Sequence, residues 1–307
     1  MPEILRLDSV PRLKRPVLLA GFLGWANAGN ASSGAVEYLL GDPRPDSFAH
    51  VDPDLAFDQT VIRPIAHKGG PRGWGLTFPT IRCYAVRRPE HARDLLLVLG
   101  PEPSFRWQTI AREISELAAE VEVAEGIALG SFIGAVSHRT LALSSRSLSA
   151  ELSARLSAQS ITETDYEGPT AFQTALVQAL SDAGIQAASL WIASPPYVQG
   201  PNPRASLALL NAAGRALDAD LDLDRLRQVS TEWTRRLDEL LRANPSLLNQ
   251  LRSMIPADSE EPDESDQDDS EGARPDQPPP DLPSSEAIIE ELERFLRGQQ
   301  RPPEDKG

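Results

Sequence analysis

A chain of 307 residues, 40% of them hydrophobic, is long enough to bury one sizeable core with appendages. Its formal charge of −15, with no basic stripe, argues against nucleic acid and anionic membranes as partners. No apolar run approaches the roughly 20 residues that a membrane helix needs, the opening MPEILRLDSV has no apolar signal core, and the single Cys83 excludes an internal disulfide and a cysteine metal cluster. A cytoplasmic location is therefore expected.

Taken in chain order, the first clear element is PVLLAGFLGWANAGNASSGAVEYLL, from Pro16 to Leu40. Val17 to Ala20 form a continuous apolar run, as in a strand covered on both faces of a parallel sheet. Gly21 and Gly24 bracket a turn, and Ala28, Ala31, Ser32, Ala35, Val36 and Leu39 then fall on one helical face made mostly of small residues. Such a turn offers free backbone N–H groups to an anion. Yet Gly21, Gly24 and Gly29 do not make the dinucleotide fingerprint, and no phosphate-loop lysine follows. A structural turn, with Asn27 or Asn30 capping the helix, stands against the anion-binding one.

Short strands are expected near Ala49 to Val51, Gln59 to Ala66 and Ile81 to Val86, followed by the plain strand Asp94 to Leu99. Phe105 to Val121 places Ile110, Ile114, Leu117 and Val121 at helical spacing. Strands at Ile127 to Gly130 and Thr140 to Ser144 precede a short helix at Ser149 to Ala158. A helix over Gly168 to Ala183 opens near Pro169 and stops at Gly184. Ala188 to Ala193 reads as a strand and Pro203 to Leu217 as a helix. Alternation of this kind predicts an α/β fold, a three-layer αβα domain with a mostly parallel or mixed sheet over residues 1–217.

From Leu221 to Ile255 the pattern is wholly helical, giving a helical appendage over residues 218–256. Residues 257–283 hold eleven Asp or Glu, one basic residue and six prolines, so this stretch carries −10 and leaves only −5 for the rest of the chain. It reads as a disordered acidic linker. Residues 284–298, SSEAIIEELERFLRG, set Ile288, Leu292, Phe295 and Leu296 on one face of an amphipathic docking helix, followed by a disordered tail over 299–307. That helix has its own domain, a sister subunit or a foreign partner as its targets.

The chemistry-bearing residues are scattered. His50, His67, His91 and His138 are more than fifteen residues apart, no metal spacing links them, and no Gly-x-Ser-x-Gly elbow occurs. Neither a metal nor a cofactor is expected, and no catalytic residue is assigned. The candidate binding cluster joins Gly21, Gly24, Trp25, Asn27, Gly29 and Asn30 of the first turn to Arg106 and Trp107, His138 and Arg139, and Glu167 and Gly168, because these segments adjoin strands of one sheet. Each also has an ordinary use: Asn as a cap, Arg106 and Glu167 in ion pairs, Trp25 and Trp107 in packing or interfaces.

The string GFLGWANAGNASSGAVEYL closely resembles the signature of the proteasome assembly chaperone family, in the branch named for the second eukaryotic assembly chaperone and shared with bacterial and archaeal proteins. Ordered matches follow: Phe57-Asp58 with Arg63-Pro64, Gly100-Pro101-Glu102-Pro103 to Arg106-Trp107, Leu129-Gly130 before His138-Arg139, Tyr166-Glu167-Gly168-Pro169-Thr170, and Pro203 with Ala205 to Leu210. The resemblance spans about residues 15 to 215 and is of the bacterial type. It departs at Ser131 to Ser137 and at the terminus Glu304-Asp305-Lys306-Gly307, where tail-docking members end in a hydrophobic-Tyr-x tripeptide. It implies a fold similar to nucleoside phosphorylases and hydrolases, and a non-catalytic assembly chaperone or scaffold acting through protein contacts. The implied partners are proteasome subunits, and the implied assembly is a homo-oligomer, a trimer by analogy with relatives. The alternative class is an enzyme or binder of an anionic or nucleoside-like ligand in a crevice at the strand carboxyl ends.

Overall fold

The computed structural model describes residues 4–69, 73–198 and 200–244. Nine strands form one sheet in the order β1-β3-β6-β7-β2-β8-β11-β9-β10. These are β1 (Leu5–Leu7), β2 (Val17–Leu23), β3 (Ala49–Val51), β6 (Arg82–Val86), β7 (Leu95–Pro101), β8 (Glu125–Ile133), β9 (Leu143–Ser147), β10 (Thr162–Glu163) and β11 (Gln186–Ser194). The four central strands β7, β2, β8 and β11 are mutually parallel, whereas β6 and β9 flank them antiparallel. Two further strands, β4 (Ile65–Lys68) and β5 (Trp74–Thr77), pair only with each other, as a hairpin.

Period-two alternation along buried strands sends successive side chains to opposite faces. Val17 and Leu19 join Leu95, Leu97, Ile127, Leu129, Leu190 and Ile192 in one core, whereas Leu18, Ala20 and Phe22 join Leu96, Val98 and Ala128 in the other. The first core is covered by α1 (Ala31–Leu40), α4 (Ala150–Ser157) and α6 (Pro203–Ala216), and the second by α3 (Trp107–Glu120) and α5 (Phe172–Asp182). The result is the expected three-layer αβα arrangement. A one-turn α2 (Pro53–Ala56) follows β3, and α7 (Asp224–Ala243) packs its Leu226 into the first core.

Local chemistry moved several boundaries. Residues 59–62 form a turn, with Val61 and Ile62 N–H groups donating to Asp58 O and Thr60 N–H to Asp58 Oδ1, so the strand expected over Gln59 to Ala66 begins only at Ile65. The strand read at Thr140 to Ser144 starts at Leu143 and continues to Ser147. Pro169 does not open a helix: α5 starts at Phe172, whose N–H donates to Glu102 Oε1 at 2.7 Å, and residues 164–170 form a loop ahead of it. The short β1 and β10 carry too few residues for a readable period. Residues 245–256 of the expected helical appendage, the acidic linker, the terminal docking helix and the tail lie outside the described residues.

Candidate functional site

Strands β2, β7, β8 and β11 all run the same way, so their carboxyl ends open on one side of the sheet, where open α/β sheets bind ligands. The turn after β2 is built first by its own polar groups. Asn27 is buried; its Oδ1 accepts from Ser33 N–H at 3.0 Å and from Ser32 Oγ at 2.7 Å, while its Nδ2 donates to Ser33 Oγ and Asn30 Oδ1. Asn27 thus caps α1 from a distance, and Asn30 occupies the N-cap position in the left-handed region with φ of 47° and no side-chain cap bond. A Cβ at Gly21 would lie 2.5 Å from the Ser32 carbonyl oxygen, which is how closely α1 approaches β2. Gly29, at φ of 60°, fits against Asn202 and Ser194, where a Cβ would be 2.9 Å from both. The turn satisfies its own polar groups.

Beside it a crevice of about 860 Å³ opens over β8, β11 and β9. Its floor is Trp191 with Ser189, Ser144 and Arg146; its walls are Gly24 to Ala28, Phe132 and Ile133, and the loop Thr164 to Thr170. Gly130 makes the floor: Trp191 lies opposite it in the parallel register, and a Cβ there would fall 2.5 Å from the indole ring. Arg146 Nη2 donates to Tyr166 O at 2.5 Å, and Tyr166 Oη donates to Pro169 O at 3.0 Å, fixing the loop over the floor. Around this opening large apolar side chains meet solvent, including Ile133 at 69% exposure and Trp25 at 65%.

The crevice therefore gathers Gly24, Trp25, Asn27, Glu167 and Gly168 from the sequence-derived cluster. Arg106 sits, exposed and left-handed, at the N-cap of α3. Trp107 donates its indole N–H to Pro103 O at 2.5 Å and meets Phe172 edge-on at 5.8 Å, which makes it a packing residue between α3 and α5. Phe132, Arg146 and Trp191 carry no signal in the sequence, and Tyr166 enters there only through the family resemblance. Trp191 was embedded in an apolar strand, and only knowing that β11 pairs with both β8 and β9 shows that its ring faces an uncovered stretch of sheet.

His138 and Arg139 make a separate cluster with α7. His138 Nε2 donates to Asp238 Oδ1 at 2.7 Å, and its Nδ1 is 2.9 Å from Tyr197 Oη, which accepts from the His138 backbone N–H at 2.8 Å. Arg139 also grips Asp238, with Nη2 donating to Oδ2 at 3.0 Å. Burial lowers the His138 pKa below the usual imidazole value despite the opposing pull of Asp238, so the ring is neutral with the proton on Nε2. Burial pushes the Asp238 carboxyl upward, but the hydrogen bonds from His138 and Arg139 and the charge of Arg139 leave it below its ordinary range. Burial likewise pushes the Tyr197 phenol up to about 12. With every strong polar atom engaged internally, this cluster pins α7 to the loop after β8. Cys83, fully buried and pushed up to about 12, is inert. Among the described residues no group of three His, Cys, Asp or Glu is placed to hold a metal, and no helix is long and apolar enough to cross a membrane.

Comparison with known proteins places this architecture. A PAC2 family protein from Streptomyces avermitilis superposes with a TM-score of 0.68 at 33% identity, covering 78% of this chain and 100% of its own. A proteasome-assembly chaperone homologue from Mycobacterium tuberculosis gives 0.66 at 32% identity over 73% of this chain and 94% of its own. An archaeal proteasome activator from Pyrococcus furiosus shares the fold at 17% identity, with a TM-score of 0.59, over 77% of this chain and 97% of its own. No curated protein matches the chain. The sequence profile of the PAC2 family matches residues 21–241, which takes in the turn, the crevice and most of α7, and the chain belongs to the PAC2 family.

Proposed function

We propose that this chain is a non-catalytic, assembly-chaperone-like or scaffold protein that recognises protein surfaces and acts as a homo-oligomer in the cytoplasm. The observation that carries this reading is the character of the carboxyl end of the sheet. An enzyme of this architecture concentrates polar reacting groups there. Here exposed Trp25, Phe132 and Ile133 surround the opening, while Asn27 and His138 spend their polar atoms on internal bonds. Exposed aromatic residues on a rigid rim are the ordinary anchors of protein interfaces. The relative from Mycobacterium tuberculosis, a proteasome-assembly chaperone homologue, makes proteasome subunits the first partners to test, and the trimer implied by the sequence resemblance is the first assembly to test.

The second reading, a binder of an anionic or nucleoside-like ligand, is favoured by one observation, the 860 Å³ crevice with Trp191 on its floor and Arg146 and Glu167 along it. The experiment is co-purification of the tagged full-length chain from its own cells, read by native mass spectrometry beside the Trp25→Ser/Phe132→Ser variant. Stoichiometric proteasome subunits captured by the parent chain and lost from the variant support the first reading. Equal capture by both would refute the rim as the recognition surface. A bare oligomer retaining a small-molecule mass would move the assignment to the crevice ligand.

A further inference from the structure

Two apolar features at the carboxyl end of the sheet stand apart from each other in one protomer. The first is the β4–β5 hairpin. Its ends are anchored at that end of the sheet: Asp58 N–H donates to Ser104 Oγ just past β7, and the returning chain enters β6 with Arg82 opposite Leu99. The hairpin itself joins neither neighbour of the main sheet, and Ile65, Trp74 and Leu76 are 67%, 64% and 61% exposed. A lone two-stranded ribbon is at best marginally stable in water, so exposing three large apolar groups on one costs solubility without helping the protomer fold.

The second feature is the crevice over β8, β11 and β9. In the strand order, β7 and β2 stand between it and β6, where the hairpin is rooted. The two features also differ in charge. Residues 59–81 contain Arg63, Lys68 and Arg72 and no Asp or Glu. The crevice loop, residues 164–170, contains Asp165 and Glu167 and no Lys or Arg, and the one basic group of the crevice lining, Arg146, is bonded to the Tyr166 carbonyl oxygen. A chain with net charge −15 has every reason to repel its own copies, and this local pairing of signs is what would overcome that repulsion.

We propose that the hairpin of one copy docks in the crevice of the next, so that each crevice is completed by residues of a second copy of this chain. Trp74 and Leu76 then bury against the aromatic wall formed by Trp25, Phe132 and Tyr166, and Arg63 and Lys68 face Asp165 and Glu167. The inference rests on the homo-oligomer reading and specifies its interface. Since donor and acceptor are different surfaces, the contact is heterologous, and within the closed homo-oligomer on which the inference rests the copies form a ring.

The test uses full-length chains and reads mass by light scattering and native mass spectrometry at micromolar concentration. The hairpin variant is Trp74→Ser/Leu76→Ser and the crevice variant is Asp165→Lys/Glu167→Lys; all four positions are exposed in the protomer, and matching thermal melts check the fold. Each variant alone is expected to fall from the ring to a monomer. An equimolar mixture, which holds one intact hairpin and one intact crevice per pair, is expected to give a 1:1 dimer and nothing larger. Adding Arg63→Glu/Lys68→Glu to the crevice variant reverses both sides of the pairing in one chain and is expected to restore the ring. Variants that keep the parent mass, or a mixture that stays monomeric, overturn this interface while leaving the homo-oligomer reading intact. A monomeric parent chain overturns both.

Discussion

The two ends of the same sheet are built to opposite specifications. At the amino end, charge is taken inside and closed off. Glu125, at the start of β8, is buried between Arg93, whose Nη1 lies 2.6 Å from Oε2, and Arg155 of α4. Asp94, just before β7, is buried and accepts from the backbone N–H groups of Lys14 and Arg88, each at 2.7 Å. At the carboxyl end it is apolar surface that goes unclosed, with Trp25, Phe105, Phe132 and Ile133 facing solvent. Satisfied buried charge orients strands and fixes their register, whereas exposed aromatic area is kept only where another surface will cover it. The difference teaches that stability is vested at one end and recognition at the other.

The largest effect that should break this contrast comes from neither end but from the seam that joins them. Gly21→Ala places a methyl 2.5 Å from the Ser32 carbonyl oxygen, a backbone atom that cannot rotate away. It should cost about 3 kcal/mol or more in denaturant unfolding. At the amino end, Glu125→Gln leaves Arg93 and Arg155 without their counter-ion and should cost about 3 kcal/mol with no change in which proteins the chain captures.

The His138 cluster sharpens the comparison, since it is a polar device at the recognition end that serves stability. Its folded-state pKa lies below the unfolded imidazole value of about 6.5. The folded protein therefore holds this proton less well than the unfolded chain, and stability is fully present above about pH 6.5 and lost as pH falls through and below it. Asp238, also lowered, adds to the loss only below the ordinary carboxylate range. His138→Phe should cost about 1 kcal/mol near neutral pH and flatten the acid slope between neutrality and the carboxylate range. Urea titrations at several pH values read both effects. Smallest in stability is Trp25→Ala, expected to stay within about 0.5 kcal/mol of the parent while weakening partner capture in pull-downs.

Much of this architecture is readable in the residues because its signals are local. Val17 to Ala20 and Leu95 to Leu99 are apolar on both faces, which demands cover on both sides of a sheet, and the small residues of α1 announce its close approach to β2. The site is less readable because its signals are not local. Asn27 and Asn30 both looked like caps, and only the fold of the turn decides that the Asn27 side chain reaches Ser33 N–H while Asn30 supplies the left-handed bend. Arg139 and Asp238 are 99 residues apart, so nothing in the spacing foretells their ion pair. The crevice floor was hidden for the same reason. Trp191 shares β11 with core residues, and its exposure to the crevice depends on the bare Gly130 across the strand boundary. Residues 168–171 read as the first turn of a helix because Pro169 is a helix-start signal, yet the helix opens only at Phe172, whose N–H is claimed by Glu102.

The most direct test of the division between the two ends is hydrogen exchange on the full-length chain, compared between its assembled, partner-bound state and the dissociated protomer. The account predicts that assembly adds protection at residues 23–28, 65–69, 73–77, 132–134 and 164–170, and leaves the segments around Asp94, Glu125 and Arg155 unchanged. Protection gained around those amino-end residues, with the carboxyl-end segments exchanging as freely as before, would contradict it.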